Sequence, residues 1–491
     1  MKRRIAIVGS GIGGLTAALL LSHEDDEVTI FESNGHLGGR LTYLHHEWAG
    51  NSERIDRGPT IVLLPEMINE LLQLGGMDVS QLHWHRCDPM YSLHYADGSS
   101  LVKYAHVQAM EAEIERFAPG EGVAFRKYIA DMQHRFDVGK PAFLEKSFIR
   151  SKDFWTYRNV LTLLQLGAHR SVRKDVKRYF HDPRLIDAFS LQSLYIGGNP
   201  YSTPSIYSLV GYSEHQHGVW YLQGGYGGLV QHIERELRSR SNVTIHLNSK
   251  VDQIATTHGN VRGLRVDGEV LAFDAVIYNG DFPALRALLN DRTHAQRQRF
   301  IASSGCFLLY LGIQGKYEQR TMHEFWMGRN FSQHMKEVFT RPALPQDPSI
   351  YTFYPSIQDT TLTHDPNDSI LYVLVPVPSG DLMDWESSTD KYASHIISQL
   401  ELRGFPELRS RLRWVQTRTP TEAKRDGLYA GGSFGIAPAL TQSGVFRPQV
   451  KPFSQIKGLF AVGASVHPGG GIPIVMQGAR LMQEALRAEL S

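Results

Sequence analysis

The apolar positions near the start of the chain fall into a strand, a helix and a second strand. Residues 5–8 are all apolar, as in a strand buried on both faces, and residues 15–21 are an apolar run of good helix formers. A glycine-rich turn separates these runs, and a further strand at residues 27–31 ends on Glu32. This order of strand, glycine turn, helix, strand and acid predicts a dinucleotide-binding βαβ unit.

Later apolar segments predict two sheets that alternate along the chain. The pattern of a buried strand recurs at residues 243–247, 275–278, 306–313, 370–377 and 457–463. We expect the first, second and last of these, with a final helix over residues 472–490, to complete the nucleotide-binding sheet. The other two belong to a second sheet, and residues 107–212 have a mostly helical pattern.

The predicted fold class is therefore α/β, with domains that are interleaved in sequence. A Rossmann-type domain is expected from residues 1–80, 226–290 and 416–491, because each of these three segments contains predicted strands of the nucleotide-binding sheet. Residues 81–225 are expected to form a helical region, and residues 291–415 a mixed-sheet substrate domain.

The composition argues against several classes of protein. A formal net charge of +1 over 491 residues shows no excess of basic residues of the kind typical of nucleic-acid-binding proteins. Cys87 and Cys306 are too few and too far apart for a disulfide or metal framework, which favours a reducing cytoplasmic setting. Histidine pairs such as His45 and His46 lack the cysteine or carboxylate partners of a closed metal site, so no metal is expected. No run approaches the roughly 18–20 apolar residues that span a bilayer, so we expect a soluble protein or one lying on a membrane face.

Three glycines of the first turn have distinct physical roles in binding a dinucleotide. Gly9 permits the tight turn, Gly11 lets backbone amides approach a pyrophosphate, and Gly14 lets the helix pack closely on the strand. The helix N-terminus presents free N–H groups to the phosphates. Glu32 lies at the right distance to accept hydrogen bonds from the ribose hydroxyls of an adenosine.

Two further stretches favour a flavin over a nicotinamide. Gly38, Gly39 and Arg40 resemble the turn that follows the acid in FAD-binding oxidases of the amine oxidase and carotenoid desaturase type. At the other end of the chain, a strand at residues 457–463 leads into a glycine-rich turn before the final helix. Glycines at that point allow backbone to approach a planar ring, and the helix dipole can stabilise negative charge on it.

The whole chain resembles the bacterial carotenoid (phytoene-type) desaturase family, and most closely its dehydrosqualene (4,4'-diapophytoene) desaturase branch. Besides the N-terminal fingerprint, the motifs that carry the resemblance are residues 56–62, 194–197, 205–208, 347–351, 446–449 and 467–475. The resemblance implies an FAD-binding domain of the amine oxidase type and a helical region that faces the membrane. It also implies FAD-dependent introduction of double bonds into a C30 polyene, from 4,4'-diapophytoene to diaponeurosporene or diapolycopene.

The resemblance further implies a set of residues that contact FAD. These are Gly9, Gly11, Gly13, Gly14, Glu32, Gly39, Arg40, Gly58, Pro59, Thr60, Val251, Gly463, Ala464, Ile472 and Pro473. From local sequence alone, the break at Gly58 and Pro59 serves equally as a ligand contact or as a structural turn. Arg57 departs from the family pattern, in which an uncharged residue is expected. It either points inward and changes the electrostatics of the flavin, or points to solvent.

Residues 154–178 combine aromatic and aliphatic side chains with a following basic run. Bulky apolar groups beside a cluster of lysine and arginine suit a segment in an anionic membrane interface. The same pattern suits a core helix followed by a solvated helix. The sequence leaves both interpretations open.

A hydrocarbon substrate has no polar group for a side chain to activate, so the cofactor must carry the chemistry. We expect hydride transfer from an allylic CH₂ to the flavin, with a proton lost from the neighbouring carbon. His467 is either a proton acceptor or a residue that shapes its turn, and no catalytic acid or base is predicted. At about 0.8 kcal/mol per CH₂, moving a C30 chain through water costs on the order of 20 kcal/mol, so delivery from the cytoplasmic membrane surface is expected. Oxygen or a membrane quinone then reoxidises the flavin.

Three alternatives remain at this point. The nearest is a carotenoid terminal-methyl oxygenase of the same family, which acts on the desaturated product. Another FAD oxidase, for an amine or a porphyrinogen, would need a polar or aromatic-cage pocket. A prenyl-lipid carrier on the same scaffold would be non-catalytic, and the intact glycine fingerprint argues against it.

Overall fold

A computed structural model describes residues 2–48, 50–289, 300–380 and 382–490. The expected domain boundary at residues 290 and 291 lies outside the described residues. The strands are β1 (Arg4–Val8), β2 (Glu27–Phe31), β3 (Tyr43–Trp48), β4 (Asn51–Asp56), β5 (Trp84–Cys87), β6 (Tyr91–His94), β7 (Ser100–Lys103), β8 (Val219–Leu222), β9 (Val243–His246), β10 (Val251–Thr257), β11 (Asn260–Val266), β12 (Glu269–Ala272), β13 (Ala275–Tyr278), β14 (Gly305–Ile313), β15 (His323–Trp326), β16 (Ile350–Phe353), β17 (Ser369–Val377), β18 (Leu412–Arg418) and β19 (Leu459–Ala461). The helices are α1 (Ile12–His23), α2 (Pro65–Leu74), α3 (Val107–Phe117), α4 (Gly122–Gly139), α5 (Ser151–Phe154), α6 (Tyr157–Gln165), α7 (Val172–Val176), α8 (Pro183–Ala188), α9 (Leu209–His217), α10 (Gly225–Ser239), α11 (Leu285–Leu288), α12 (Phe331–Phe339), α13 (Trp385–Arg403), α14 (Leu408–Arg411), α15 (Pro420–Arg425) and α16 (Ile472–Leu490).

A parallel five-stranded sheet, in the order β19-β13-β1-β2-β9, forms the nucleotide-binding layer. Its central strand β1 is flanked on both sides, and Ile5 and Ile7 are completely buried. α1 packs against α16 and is buried along nearly its whole length, which explains why its sequence is apolar all round rather than amphipathic. The α/β class and the interleaved strand order are those expected from the sequence.

A mixed seven-stranded sheet, in the order β18-β14-β17-β16-β15-β6-β7, forms the second layer. Its strands are antiparallel except that β15 and β6 run parallel. Because side chains alternate between the two faces of a strand, neighbouring residues of β14 enter different cores. Phe307 and Leu309 pack toward α13, whereas Cys306 and Leu308 face the helical region.

The strands do not follow the predicted domain boundaries everywhere. β6 and β7, from the predicted helical region, form one edge of the seven-stranded sheet. At the other edge, β18 crosses the boundary expected at residues 415 and 416. The division into domains therefore stays a prediction.

The helices α3, α4, α7, α8 and α9 pack on the face of the seven-stranded sheet that carries Cys306 and Leu308, whereas Phe154 of α5 and Leu163 of α6 belong to a separate small cluster. None of the helices in the described part of the chain is both long enough and apolar enough to cross a membrane. Residues 154–178, predicted as a membrane-interface segment or as a core helix followed by a solvated helix, form α6 and the short α7, with α5 ending at Phe154.

Candidate functional site

A cavity of about 950 Å³ lies between the two sheets. One end is formed by the residues that follow the parallel strands of the five-stranded sheet: Gly9 after β1, Glu32 after β2 and Asn279 after β13. The carboxyl edge of such a sheet is where open α/β folds bind ligands. The cavity continues along the seven-stranded sheet, where Leu308, Phe325 and Leu374 line it.

The first glycine turn is a close backbone contact that larger residues could not form. Gly9 has a φ of +94° and donates its N–H to the Phe31 carbonyl at 2.9 Å. A Cβ on Gly14 would lie 2.3 Å from the Gly9 carbonyl oxygen. Gly11 precedes α1 and provides no side-chain cap, so the first N–H groups of that helix have no such partner. This arrangement fits a pyrophosphate at the helix N-terminus.

Glu32 is an ionised acceptor at the end of β2. Its carboxylate accepts hydrogen bonds from the Ser10 amide at 2.9 Å and hydroxyl at 2.6 Å. It also accepts from the Asn34 amide at 2.9 Å and side chain at 2.7 Å. Burial alone would raise the pKa of Glu32, but these donors outweigh it and hold the pKa below its ordinary value. An ionised carboxylate at this place fits the ribose hydroxyls of an adenosine.

Two arginines that line the cavity, Arg57 and Arg418, share one carboxylate. Arg57 Nη2 lies 2.9 Å from Asp426 Oδ2, and Arg418 Nη2 lies 2.6 Å from the same oxygen. Arg57 is among the residues that line the cavity, but its ion pair with Asp426 is open to solvent, with the two side chains 31% and 42% exposed. The Arg57 side chain therefore lies at the solvent-exposed edge of the cavity, with Asp426 beside its charge.

The second glycine turn precedes α16. Gly463, Gly469 and Gly471 have φ values of +132°, +141° and +102°, which side chains with a Cβ rarely adopt. Arg447 is buried beneath this turn and donates to the Ala464 carbonyl. Its Nε has no hydrogen-bond partner among the described residues. A flat glycine surface at the start of a helix fits a planar ring.

His467, in the same turn, is 3% exposed. Its Nε2 donates to the Lys146 carbonyl oxygen at 2.8 Å, so the other ring nitrogen, Nδ1, is unprotonated. Burial lowers the pKa of His467 to about 4. The imidazole is therefore neutral near pH 7, and its main contact holds the turn against the segment before α5.

The structure brings most of the predicted FAD contacts together around this one cavity. The residues that line it are Gly9, Gly11, Gly13, Glu32, Gly39, Arg40, Gly58, Pro59, Thr60, Gly463, Ala464, Ile472 and Pro473. Within the described chain, Gly14 lies beneath the turn and Val251 is buried in the core beside it, so neither lines the cavity. All of these contacts remain predictions, but the residues present fit a flavin dinucleotide.

Sequence reasoning missed Asn279, which follows β13 and packs over the first glycine turn. A Cβ on Gly13 would lie 2.8 Å from Asn279 Nδ2, and Asn279 Oδ1 is buried without a partner in the part of the chain that is described. It also missed Asp281, whose carboxylate accepts from the Ser465 hydroxyl and from the Tyr429 amide at 2.8 Å. The available signal was position, because the first residues after a parallel strand face the ligand edge.

The far end of the cavity is apolar and reaches the protein surface. Trp155, Leu440 and Phe446 line the cavity and are also 53%, 57% and 52% exposed. The Trp155 and Phe446 rings contact each other with centroids 6.0 Å apart. Because these side chains line the cavity and are also exposed to solvent, they mark the opening of the cavity. The rim of this opening is aromatic and aliphatic.

Comparison with known proteins gives matches along the whole chain. The family model described as flavin containing amine oxidoreductase matches residues 12–481. The chain is 46% identical over 486 residues to a 4,4'-diapolycopen-4-al dehydrogenase of Metabacillus indicus, covering 99% of this chain and 97% of that protein. It is 29% identical to a 4,4'-diapophytoene desaturase of Staphylococcus haemolyticus, covering 99% of each. An oxidoreductase structure from Methanosarcina mazei has a TM-score of 0.65 at 15% identity, covering 99% of this chain and all of that one, which shows the shared fold.

Proposed function

Because the chain belongs to the flavin-containing amine oxidoreductase family, and is thus an FAD-dependent oxidoreductase, we propose that its substrate is a C30 carotenoid polyene. The observation that carries the proposal is the continuity of the cavity. A cradle that fits FAD opens directly into an apolar channel, and the channel ends at an apolar rim on the surface. The named C30 carotenoid enzymes among its relatives support the same substrate class.

The first candidate reaction is desaturation, in which two adjacent carbons each lose a hydrogen. When bound, FAD supplies the hydride acceptor. The residues of the chain bind and orient the polyene: Leu308, Phe325 and Leu374 provide an apolar wall that excludes water. His467, neutral and tied to a backbone carbonyl, holds the glycine turn in place.

The second candidate reaction is oxidation of a terminal carbon, either of the methyl group or of an aldehyde. The 46% identical relative is named for such an aldehyde, which favours this candidate. Conversion of an aldehyde to an acid consumes one water and releases two hydrogens, so it uses the same hydride acceptor.

The test uses purified, FAD-loaded protein and substrate dissolved in liposomes. 4,4'-Diapophytoene and the matched C30 polyene aldehyde are incubated separately, and products are identified by absorption and mass. Visible-absorbing hydrocarbons support desaturation, and an acid formed from the aldehyde supports terminal oxidation. If neither compound reacts, the proposal is contradicted. If the protein purifies without flavin, the carrier alternative is favoured. Parallel assays with oxygen or with a quinone under anaerobic conditions identify the electron acceptor.

We further propose that the protein docks peripherally on the cytoplasmic membrane through the rim of the channel. Tyr157 and Leu161 of α6 are 81% and 39% exposed beside Trp155. Exposed basic side chains, Arg150, Lys152 and Arg158, lie in the same segment and suit an anionic lipid surface. The basic α7 is different: Val172 and Val176 are buried, and Asp175 pairs with three arginines.

Liposome co-sedimentation tests this docking. The double substitution Trp155→Asp and Tyr157→Asp places two charges where apolar rings would enter the interface, so binding to anionic liposomes should fall at least about tenfold. Leu402→Asp, at a residue that is 82% exposed on α13, is the matched control and should bind like wild type. Equal binding of both variants would rule out this rim as the docking surface.

A further inference from the structure

We propose that Arg447 is a buried positive charge that raises the reduction potential of the flavin held at the second glycine turn. The proposal rests on the proposed function only in that it needs bound FAD, and it applies to either candidate reaction. It assigns to Arg447 an action on the ring through its electric field. The residue touches neither the substrate nor the reacting atoms, so no further chemical step is involved.

Arg447 lies directly beneath the surface on which a planar ring fits. Its side chain is 3% exposed. A Cβ on Gly469 would lie 3.8 Å from Arg447 Nε and 4.0 Å from Cζ. Gly469 itself lines the cavity, together with Gly470 and Gly471. A single layer of backbone therefore separates the guanidinium from the cavity.

The guanidinium is hydrogen-bonded by neutral groups alone. Its Nη2 donates to the Ala464 carbonyl and, at 3.5 Å, to the Ile436 carbonyl, and its Nη1 donates to the Gln442 carbonyl at 3.4 Å. Among the described residues, Nε has no partner and no carboxylate forms an ion pair with the group. The three carbonyls hold Arg447 in place, but they leave a buried charge uncompensated, which costs free energy.

The charged groups around Arg447 leave this side of the cavity positive. The Asp281 carboxylate acts on Arg447 through its charge, but its oxygens already accept from a hydroxyl and a backbone amide. The same carboxylate acts on Arg40, a second cation that lines the cavity. His467 adds no charge near pH 7, because burial, with the charge of Arg447 as a further cause, lowers its pKa to about 4. One carboxylate thus faces two cations.

An excess of positive charge beneath a ring stabilises the form of that ring that carries more electrons. Accepting a hydride adds negative charge to a flavin, and charge placed near the ring is one of the ways in which a protein tunes it. The N-terminus of α16 acts in the same direction, but a helix end carries only about half an elementary charge. Arg447 adds a full charge, and burial keeps water from screening it.

A purely structural role for Arg447 would be to hold the turn through its bonds to carbonyls. Two substitutions separate that role from the electrostatic one. Arg447→Lys keeps the charge but loses the planar fork of donors, and Arg447→Gln keeps an N–H donor but loses the charge. If the charge matters, the lysine variant should resemble wild type. If only the fork matters, both variants should differ from wild type alike.

The experiment measures the flavin itself, in FAD-loaded wild type and both variants at pH 6, where a buried lysine keeps its proton more readily. The midpoint potential is measured by anaerobic titration against a reference dye. Sulfite affinity, which is higher for electron-poor flavins, is measured by the loss of visible absorption. We expect Arg447→Gln to lower both the reduction equilibrium constant and the sulfite affinity about tenfold, which is about 30 mV for a two-electron couple. Arg447→Lys should stay within about twofold of wild type.

The control is Arg480→Gln, which removes a cation from α16 itself at a position where the side chain is 40% exposed. Water and salt screen that charge, so both measurements should match wild type. FAD content and thermal midpoints show whether each variant is folded.

Two results would overturn the role of the charge and leave the proposed function standing. One is a wild-type potential in Arg447→Gln, and the other is an equal loss in both Arg447 variants. If Arg447→Gln purifies without FAD, the wild-type value decides, because a potential at or below that of free FAD also overturns the proposal. A wild-type flavin that neither C30 compound reduces overturns the proposed function instead.

Discussion

Lys103 is a buried cation whose titration should be visible in the stability of the whole protein. The side chain, on β7, has no exposed surface, and its Nζ lies 3.4 Å from the centre of the Phe189 ring. Among the described residues it has no hydrogen-bond partner. Burial lowers the pKa of Lys103 from 10.5 to about 7, although the negative charge of Glu214 opposes this change.

The magnitude follows from the difference between the two pKa values. At about 1.4 kcal/mol per pKa unit, the charged form is disfavoured by about 5 kcal/mol in the folded protein. The unfolded chain keeps the proton up to pH 10.5, whereas the folded chain releases it near pH 7. Between these values the unfolded state binds more protons, so stability should rise with pH by up to about 1.4 kcal/mol per pH unit.

Lys103→Met removes this proton and keeps a long apolar side chain. We expect the free energy of unfolding of wild type to rise by about 2–3 kcal/mol between pH 7.5 and 9.5 relative to the variant. Urea unfolding at constant ionic strength, followed by tryptophan fluorescence, measures the difference. Burial raises the pKa of Glu214, so its titration lowers stability as pH rises, opposite to the effect of Lys103. The double variant Lys103→Met/Glu214→Gln separates the two contributions.

Lys391→Met, at an exposed position of α13, is the matched control and should keep the wild-type slope. If Lys103→Met also keeps that slope, the buried lysine does not titrate near pH 7. The conclusion that burial lowers the pKa of Lys103 to about 7 would then be wrong.

Two further predictions concern the cofactor site. Gly14→Ala would place a Cβ 2.3 Å from the Gly9 carbonyl oxygen, so the purified variant should contain little FAD and lose about 1–3 kcal/mol of stability. The control Gly211→Ala, whose Cβ would lie at an ordinary 3.5 Å from Gln192, should retain the flavin. A yellow Gly14→Ala protein would contradict the proposed FAD cradle. His467→Asn should leave the shape of the pH–rate profile between pH 5.5 and 8.5 unchanged, because the pKa of His467 is lowered to about 4 by burial; a lost limb in that range would instead identify it as the proton acceptor.

Local sequence was sufficient to predict the nucleotide-binding half of the site. The jobs of Gly9, Gly14 and Glu32 depend on steric contact and hydrogen bonding within one βαβ unit, so their spacing in the chain largely fixes their spacing in space. The alternation of apolar strands also indicated that the sheet is completed by distant segments. Residue type and period carry that information, because a parallel strand must be buried on both faces.

The sequence did not predict the partners that tertiary packing provides. The bond between Thr60 and Tyr351 joins residues that are 291 positions apart, and the pairing of Arg57 with Asp426 spans 369. Nothing near Arg57 in the chain indicates which way it faces, and nothing near Val251 shows that it lies in the core rather than on the cavity.

The same division holds for the channel as a whole. The chain by itself determined that a dinucleotide is held, because that site is built from short-range backbone geometry. Only the packing of the seven-stranded sheet against the helical region decided the channel and its exposed rim. Their side chains come from segments with no fixed spacing, and their positions depend on how two buried surfaces fit together.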